Sequence, residues 1–232
     1  DLTASGQDGV VSPPRDVKVT RYGVSPDGAP DVTARDVKAL PRGTAMTIVD
    51  NASGAAVEVQ TKLLGRHAVG HVLAGVAVGL ALGARLEQMA GSIADMEPVE
   101  HRLQIIDGAG GVTVIDDAYN SNPEGAAEAL SVLRSISGGK KIVITPGMVE
   151  LGPEQFSANV RFGRQAAEAA DVVIVVAEVN REAILKGAAE AKGGGELIAV
   201  DSLDQATGRL AGLVTAGDVV LFENDLPDQY ER

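Results

Sequence analysis

The sequence predicts an α/β fold whose carboxyl-terminal part is a Rossmann-like, largely parallel sheet with helices on both faces. From Arg102 onward, short runs rich in Val and Ile alternate with helical patterns, as expected when helices connect parallel strands. Before that point, alternating segments separated by turn residues and followed by two helical patterns predict a β-rich region with antiparallel character.

The carboxyl-terminal region contains brief apolar runs bounded by turn residues, which favours buried strands over helices. The strand candidates are Leu103 to Ile106, Val112 to Ile115, Ile142 to Thr145, Val172 to Val176, Leu197 to Val200 and Val219 to Phe222. The helical candidates are Pro123 to Ile136, Pro153 to Ala170, Arg181 to Lys192 and Leu203 to Leu213.

The amino-terminal region is predicted to contain four strands and then two helices. The strands are Val17 to Tyr22, Val32 to Leu40, Ala45 to Val49 and Ala56 to Gln60, and the helices are Arg66 to Leu82 and Leu86 to Ala94. Pro98 marks the boundary between a first domain, residues 1–98, and a second domain, residues 99–232.

Composition excludes several classes of function. A formal net charge of −12 and an aromatic content of 3% argue against nucleic-acid binding, which needs a basic face or stacking rings. The chain has no Cys and three His, so neither a disulfide framework nor a zinc site is expected. The absence of an initial Met and of a signal-peptide pattern leads us to expect part of a longer protein. The lack of Cys fits a reducing compartment, and we expect a cytoplasmic protein that is a monomer.

One segment resembles a membrane span. Val69 to Ala84 is nearly all apolar, and Gly75, Gly79 and Gly83 follow one another at intervals of four residues. The segment is slightly short for a bilayer, contains His71 and lacks flanking aromatic anchors. We therefore predict a buried helix whose glycine face lets another backbone approach closely.

The octet Asp116–Pro123, which is Asp-Asp-Ala-Tyr-Asn-Ser-Asn-Pro, follows one strand candidate and opens a helical candidate. Asn122 is suited to cap that helix, and Pro123 fits its first position. Ligands of open α/β sheets bind beyond the carboxyl ends of the strands, where a carboxylate can accept hydrogen bonds from ribose hydroxyls. Asp and Asn are also common turn formers, so a purely local role stays open for each residue.

The octet resembles the D-[DS]-x-Y-N-x-N-P signature of the Mur ligase family, especially the members that add D-alanyl-D-alanine to UDP-N-acetylmuramoyl-tripeptide. Four further stretches are similar in order and spacing, and the resemblance extends over roughly residues 15–228. They are Gly65-Arg66-His67 before an Ala-rich helix, Glu97 to Leu103 as an interdomain link, Pro146 to Gly152 as a G-x-M-x-E-L-G loop, and Asp218 to Phe222 as a final strand.

The resemblance implies a ligase that joins a carboxylate to an amine through an acyl phosphate made with ATP and Mg²⁺. Family members hold the ATP phosphates with a G-x-x-G-K-[ST] loop, and no Gly-Lys-Ser or Gly-Lys-Thr occurs in these 232 residues. Gly138 to Lys141 precedes a strand candidate, which indicates an ordinary turn. We therefore expect the phosphate loop and the metal ligands upstream of residue 1, with 1–98 ending the central domain and with the isolated chain inactive.

The resemblance also implies which residues face the nucleotide. Asp117 would accept hydrogen bonds from ribose hydroxyls, and Arg102 would reach the phosphates with its permanently charged guanidinium. A surface position near a hinge is the alternative for Arg102, and a structural role is the alternative for a lone histidine. The other residues implied to contact the nucleotide are Tyr119, Asn120, Asn122 and His67.

For the peptide acceptor, the resemblance implies the loop that follows the strand candidate Ile142 to Thr145. Met148 and Glu150 would contact the substrate, with Glu150 orienting the incoming amine or a side chain of the tripeptide. A charge at the entry of the next helix is the alternative for Glu150. No catalytic residue and no metal ligand is assigned within the chain.

Two departures from the family pattern leave other functions open. Ala68 and His71 stand where asparagines that contact adenine are common, and Glu223 and Asn224 stand where a Lys-Gly-Ser run is common. Together with the missing phosphate loop, these departures permit a non-catalytic Rossmann-like binding module or a partner subunit of another ligase. A folylpolyglutamate-type ligase is a third possibility, against which the run Tyr119 to Pro123 argues.

Overall fold

The computed structural model describes residues 18–24 and 29–225, which fall into two compact units that meet in sequence at Glu97 and Pro98. The first unit contains a four-stranded sheet in the order β1-β2-β3-β4, parallel between β1 and β2 and antiparallel elsewhere. Its strands are β1 (Tyr22–Gly23), β2 (Val32–Leu40), β3 (Gly43–Asp50) and β4 (Ala56–Thr61). The predicted first strand is confined to β1, and its first residue, Val17, lies outside the described residues.

Two helices follow in the first unit, α1 (Arg66–Ala81) and α2 (Leu86–Ala94), as predicted. The apolar face of α1 follows a spacing of three and four residues, which turns one stripe of the helix toward the sheet. The buried residues of that stripe are Ala68, Val69, Val72, Leu73, Val76 and Ala77, and they share a core with β2, β3 and α2.

The predicted role of the glycines in α1 is wrong. Among the described residues, no neighbouring atom lies within 4 Å of the place that a Cβ would occupy at Gly75 or at Gly83, which follows the end of α1, so no described backbone approaches these two glycines. A Cβ at Gly79 would meet the side chain of Met89, which is a flexible thioether and not a backbone. The helix packs through its valine and leucine stripe, and the glycines lie mainly outside that stripe.

The second unit contains a six-stranded sheet in the order β5-β6-β10-β7-β8-β9, antiparallel between β5 and β6 and parallel elsewhere. The predicted fold class is confirmed. The strands are β5 (Gln104–Asp107), β6 (Thr113–Asp117), β7 (Lys141–Thr145), β8 (Val172–Val176), β9 (Glu196–Val200) and β10 (Val219–Glu223). The helices are α3 (Pro123–Ser135), α4 (Gln155–Ala169), α5 (Arg181–Ala189) and α6 (Leu203–Leu210).

Both faces of this sheet are buried, because successive residues of the central strands point to opposite sides and the middle residues of these strands are apolar. Ile142, Ile174 and Val220 pack with Ala206 of α6 on one side, and their neighbours Val143 and Val173 are fully buried on the other. The strands therefore expose their polar side chains only where they end.

The strand β6 is longer than the sequence predicted. Asp116 and Asp117 are its last two residues and not the start of a turn, because both pair with β10. In that register Asp117 lies beside Glu223, which places two carboxyl groups next to each other at the carboxyl edge of the sheet.

Candidate ligand site at the carboxyl edge of the six-stranded sheet

The strand order brings three polar side chains to one edge. Since β6, β10 and β7 are neighbouring parallel strands, their last residues Asp117, Glu223 and Thr145 lie at the same end of the sheet. This is the edge at which open α/β sheets bind ligands. The helix α3 starts at the same edge, directly after the octet.

Asp117 is half-buried and held on one side. Its Oδ1 accepts a hydrogen bond of 3.1 Å from the backbone N–H of Leu103. Burial raises the pKa of the Asp117 carboxyl to about 6, against the opposing effects of the Leu103 N–H and the Arg102 charge. Within the described residues no hydrogen bond to Oδ2 is present, and Asp117 as a whole is partly exposed.

Arg102 and Tyr119 form a stack next to Asp117. The guanidinium carbon of Arg102 lies 4.2 Å from the centroid of the Tyr119 ring, in cation–π geometry. Arg102 Nη1 also donates to the carbonyl oxygen of Asn120 at 3.5 Å. The Tyr119 ring is 66% exposed, so the pair is a charged and aromatic surface that a ligand can reach.

A tight turn before β5 presents Arg102 to this surface. His101 and Leu103, on either side of Arg102, have φ of 59° and 47°, a left-handed conformation that costs a non-glycine residue about 1–2 kcal/mol. Three contacts offset that cost: Leu103 N–H to Asp117, Tyr119 N–H to the His101 carbonyl at 3.2 Å, and His101 Nδ1 to Asp116 Oδ2 at 2.8 Å. Strain of this kind is concentrated at functional sites.

Asn120 and Asn122 both make hydrogen bonds within their own turn, which is the local role that the sequence analysis left open as the alternative to ligand binding. Asn122 Oδ1 accepts the backbone N–H of Gly125 at 2.8 Å and caps α3, and Pro123 occupies the first helical position, as predicted. Asn120 Oδ1 accepts the N–H of Ser121 at 2.8 Å. Contacts of Asn120 and Asn122 with a nucleotide stay predictions.

Glu223 belongs to the site, although the sequence analysis noted it only as a departure from the family pattern. The side chain is fully buried, Oε2 accepts from the Thr145 hydroxyl at 3.0 Å, and Oε1 accepts from the Ser121 hydroxyl. Burial raises the pKa of the Glu223 carboxyl to about 7, and the adjacent Asp117 acts in the same direction. A carboxyl group that ends an otherwise apolar strand was the signal in the sequence.

Pro146–Gly152, the loop between β7 and α4, is fixed by hydrogen bonds from two buried side-chain amides, those of Asn159 and Asn180. Asn159 accepts the N–H of Met148 at 2.9 Å and donates to its carbonyl at 2.8 Å, and Asn180 donates to the same carbonyl at 3.1 Å. Met148 is 1% exposed, so its side chain belongs to the core and is not presented to a substrate. Glu150, with φ 63°, is exposed at the top of the loop.

His67 lies in the first unit, in the first turn of α1. Its ring lies edge-on to the ring of His71, with 5.7 Å between centroids. The neighbouring Ala68 is 1% exposed and has only a methyl group, so no side-chain hydrogen bond to a base is available there. A contact between His67 and a nucleotide stays a prediction.

In the described ranges 18–24 and 29–225, no group of three or more His, Cys, Asp or Glu side chains is placed to hold a metal ion. Among the helices of the same ranges, none has the length and apolar character that crossing a bilayer requires.

Comparisons with known proteins agree with this geometry. Residues 101–223 match the model of the family described as Mur ligase, glutamate ligase domain. The UDP-N-acetylmuramoyl-tripeptide–D-alanyl-D-alanine ligase of Mycobacterium leprae is 34% identical over 90% of this chain and 45% of its own length. The enzyme of the same name from Mycobacterium tuberculosis strain H37Rv is 33% identical over 86% of this chain and 43% of its own.

Solved structures are similar as well. A crystal structure of MurF from Acinetobacter baumannii superposes with a TM-score of 0.72 at 26% identity, over 88% of this chain and 42% of that one. The chain therefore spans less than half the length of the relatives that it matches.

Proposed function

Since the chain belongs to the Mur ligase family, we propose that it is part of an ATP-dependent ligase of peptidoglycan precursor synthesis. In this proposal the ligase joins D-alanyl-D-alanine to UDP-N-acetylmuramoyl-tripeptide through an acyl phosphate. The names of the most similar relatives support that pair of substrates. The 232 residues contain no phosphate loop, so in this proposal the loop that surrounds the ATP phosphates and the ligands of Mg²⁺ would lie outside this chain.

The chain's own contribution, in this proposal, is to bind the nucleoside part of ATP. The observation that carries it is Asp117, which is partly exposed and whose Oδ1 is fixed by Leu103, while Oδ2 has no hydrogen bond within the described residues and would accept one from a ribose hydroxyl. Arg102 adds a permanent positive charge for the phosphates, and Tyr119 adds an exposed ring beside it. Asn120, Asn122 and His67 are further proposed contacts.

The acceptor would approach the loop Pro146–Gly152. Asn159 and Asn180 fix the backbone of this loop, so Glu150 is presented from a rigid support. A carboxylate at this place can accept hydrogen bonds from an ammonium group, which would orient the incoming amine before it loses its proton. Met148 would support the loop from the core and would not contact the substrate.

Nuclear magnetic resonance titration of the chain with ADP tests the nucleotide site. Without the phosphate loop we expect weak binding, with the largest amide shifts at Arg102, Asp117 and Tyr119. Asp117→Asn should weaken ADP binding about tenfold, as expected when a hydrogen bond to a charged acceptor is lost. The matched control is Asp204→Asn, an exposed aspartate in the first turn of α6. Shifts confined to other surfaces, or equal affinities for Asp117→Asn and the unaltered chain, would remove the proposed site.

A ligation assay tests whether catalysis requires a phosphate loop that lies outside the 232 residues. The chain, given ATP, Mg²⁺, UDP-N-acetylmuramoyl-tripeptide and D-alanyl-D-alanine, should release no phosphate above background. Turnover by the 232 residues alone would show that the chain binds the ATP phosphates by itself, which contradicts this part of the proposal.

A further inference from the structure

The end of β10 connects the octet to the loop Pro146–Gly152, two segments that are distant in sequence. Glu223 accepts hydrogen bonds from Ser121 in the octet and from Thr145 at the end of β7. Thr145 Oγ1 in turn accepts the backbone N–H of Gly147, in the loop Pro146–Gly152, at 2.9 Å. A continuous line of hydrogen bonds therefore runs from the octet through one buried carboxyl group to that loop.

The next residue, Asn224, makes a second connection between the same two segments. Its backbone N–H donates to the carbonyl of Asp117 at 3.1 Å, and its Nδ2 donates to the carbonyl of Gly147 at 2.6 Å. Asn224 is 6% exposed and has φ 66°, a left-handed conformation that Asn tolerates better than most residues. The two connections hold the octet and the loop in one fixed geometry.

We propose that Glu223 is a positioning residue whose carboxyl group couples the octet Asp116–Pro123 to the loop Pro146–Gly152, so that its protonation changes the order of both. In terms of the proposed function, it would link the nucleotide-facing segment to the acceptor-facing loop. Glu223 touches neither ligand in this proposal and acts through Ser121 and Thr145.

The two protonation states require different hydrogen bonds. An ionised carboxyl accepts from both hydroxyls at once, whereas a protonated one must donate from one of its oxygens. Thr145 Oγ1 already accepts from Gly147 and keeps one lone pair for a second donor, so either hydroxyl can turn to accept the proton. Protonation therefore forces one of the two hydroxyls to turn, which rearranges the bridge.

The groups around Glu223 allow both states near neutral pH. Among the described residues, the charged group that faces it is Asp117, the second residue of the octet, which is itself flanked by Arg102 and Asp116. Ser121 of the octet and Thr145 of β7 contribute hydroxyl groups. Burial, together with the charge of Asp117, raises the pKa of Glu223 to about 7. Because the two carboxyls are adjacent, they release their protons as a coupled pair.

Amide hydrogen exchange on the chain without nucleotide tests the coupling, so its outcome does not depend on ADP binding. In the unaltered chain, protection around Ser121 and Gly147 should change together with a midpoint near pH 7, after correction for intrinsic exchange. Glu223→Gln, which cannot titrate, should lose that step at both places. Glu196→Gln, an exposed glutamate at the start of β9, is the matched control and should keep it.

The variant Ser121→Ala tests whether the octet and the loop Pro146–Gly152 are coupled, or whether the Ser121–Glu223 hydrogen bond stabilises the octet alone. If the bridge couples the two segments, removing the Ser121 hydroxyl should speed the exchange of Gly147 about threefold or more, although Gly147 does not touch Ser121. Faster exchange confined to the octet would overturn the proposal. It would equally be overturned by a pH step near 7 that persists in Glu223→Gln. Failure of ADP binding with intact coupling would count against the proposed function alone.

Discussion

Two buried acids flank the same strand and differ in their surroundings. Asp218 immediately precedes β10 at the amino edge of the sheet, and Glu223 ends β10 at the carboxyl edge. The backbone N–H of Thr215 is the main cause that lowers the pKa of Asp218, whereas burial raises the pKa of Glu223. The difference teaches that Asp218 stabilises the fold as a carboxylate, whereas the ionised form of Glu223 lowers the free energy of unfolding.

The donors around each acid explain the contrast. Asp218 accepts backbone N–H groups of Lys140 and Thr215, at 2.7 and 2.8 Å, and the Thr215 hydroxyl at 3.1 Å. Glu223 accepts only two hydroxyls and lies beside Asp117. Acids whose pKa is raised in this way cluster at functional sites, and the carboxyl edge is where the site was inferred on geometry.

The largest expected effect is at the amino edge. Asp218→Asn should lower the free energy of unfolding by about 3 kcal/mol at pH 7, because an amide nitrogen replaces an acceptor of buried N–H groups. A depressed pKa means that this stabilisation is present above the ordinary value of 3.8 and is lost as pH falls through the lower native value. Urea unfolding at pH 7 and at pH 3 to 4 should show the difference shrinking. A loss below about 1 kcal/mol at pH 7 would contradict the structural role.

The opposite sign is expected at the carboxyl edge. Glu223→Gln should raise the free energy of unfolding by about 2 kcal/mol at pH 8. The native pKa of about 7 lies above the ordinary 4.5, so stability from the neutral carboxyl is full below pH 4.5 and lost as pH rises through 7. The gain in Glu223→Gln should therefore vanish toward pH 4.5 in urea unfolding, and Glu196→Gln should show no such trend. Destabilisation at pH 8 would break the comparison.

Local patterns were sufficient to predict most of the fold. The bounds of α2 and β8 agree with the prediction, because the apolar residues of α2 have helical spacing while β8 is a short run of Val and Ile. The glycines of α1 were misassigned, since intervals of four residues do not reveal which side of a helix meets a neighbour. Packing partners depend on contacts distant in sequence, which periodicity does not encode.

The site was predictable only in its local part. The cap by Asn122 is a property of adjacent residues and was inferred from the octet. The pairing of Asp117 with Glu223 depends on β10 inserting between β6 and β7, which is a matter of strand order. Met148 was assigned to the substrate from a motif, yet its side chain is in the core, and the buried Asn159 bonds both backbone groups of Met148. Asn159 lies eleven residues further along the chain, so the motif alone did not reveal this contact.

A smaller effect of the same sign as at Glu223 is expected at Asp117, which is only partly buried. Asp117→Asn should raise the free energy of unfolding by about 1 kcal/mol at pH 8, because Oδ1 of the amide can still accept the Leu103 N–H. The native pKa of about 6 exceeds the ordinary 3.8, so stability from the neutral form is lost as pH rises through 6. Urea unfolding at pH 8 and pH 5 measures it. A gain in stability together with weaker ADP binding would mark Asp117 as a residue kept for binding, and a loss of stability at pH 8 would contradict the burial argument.

The smallest effect is expected where a carboxyl of the same edge pairs with an exposed side chain. His101→Asn removes the contact of His101 with Asp116 while keeping a residue that tolerates the left-handed φ of 59°. The His101 side chain is 57% exposed and that of Asp116 is 15% exposed, and a polar contact with one exposed partner contributes about 0–1 kcal/mol, so the free energy of unfolding should change by less than about 0.5 kcal/mol at pH 7. Urea unfolding in 0.05 and 0.5 M salt should show little difference. A loss above about 1.5 kcal/mol would mean that the turn presenting Arg102 depends on this pair. Asp116 would then contribute to stability as a buried acid does, which contradicts this prediction.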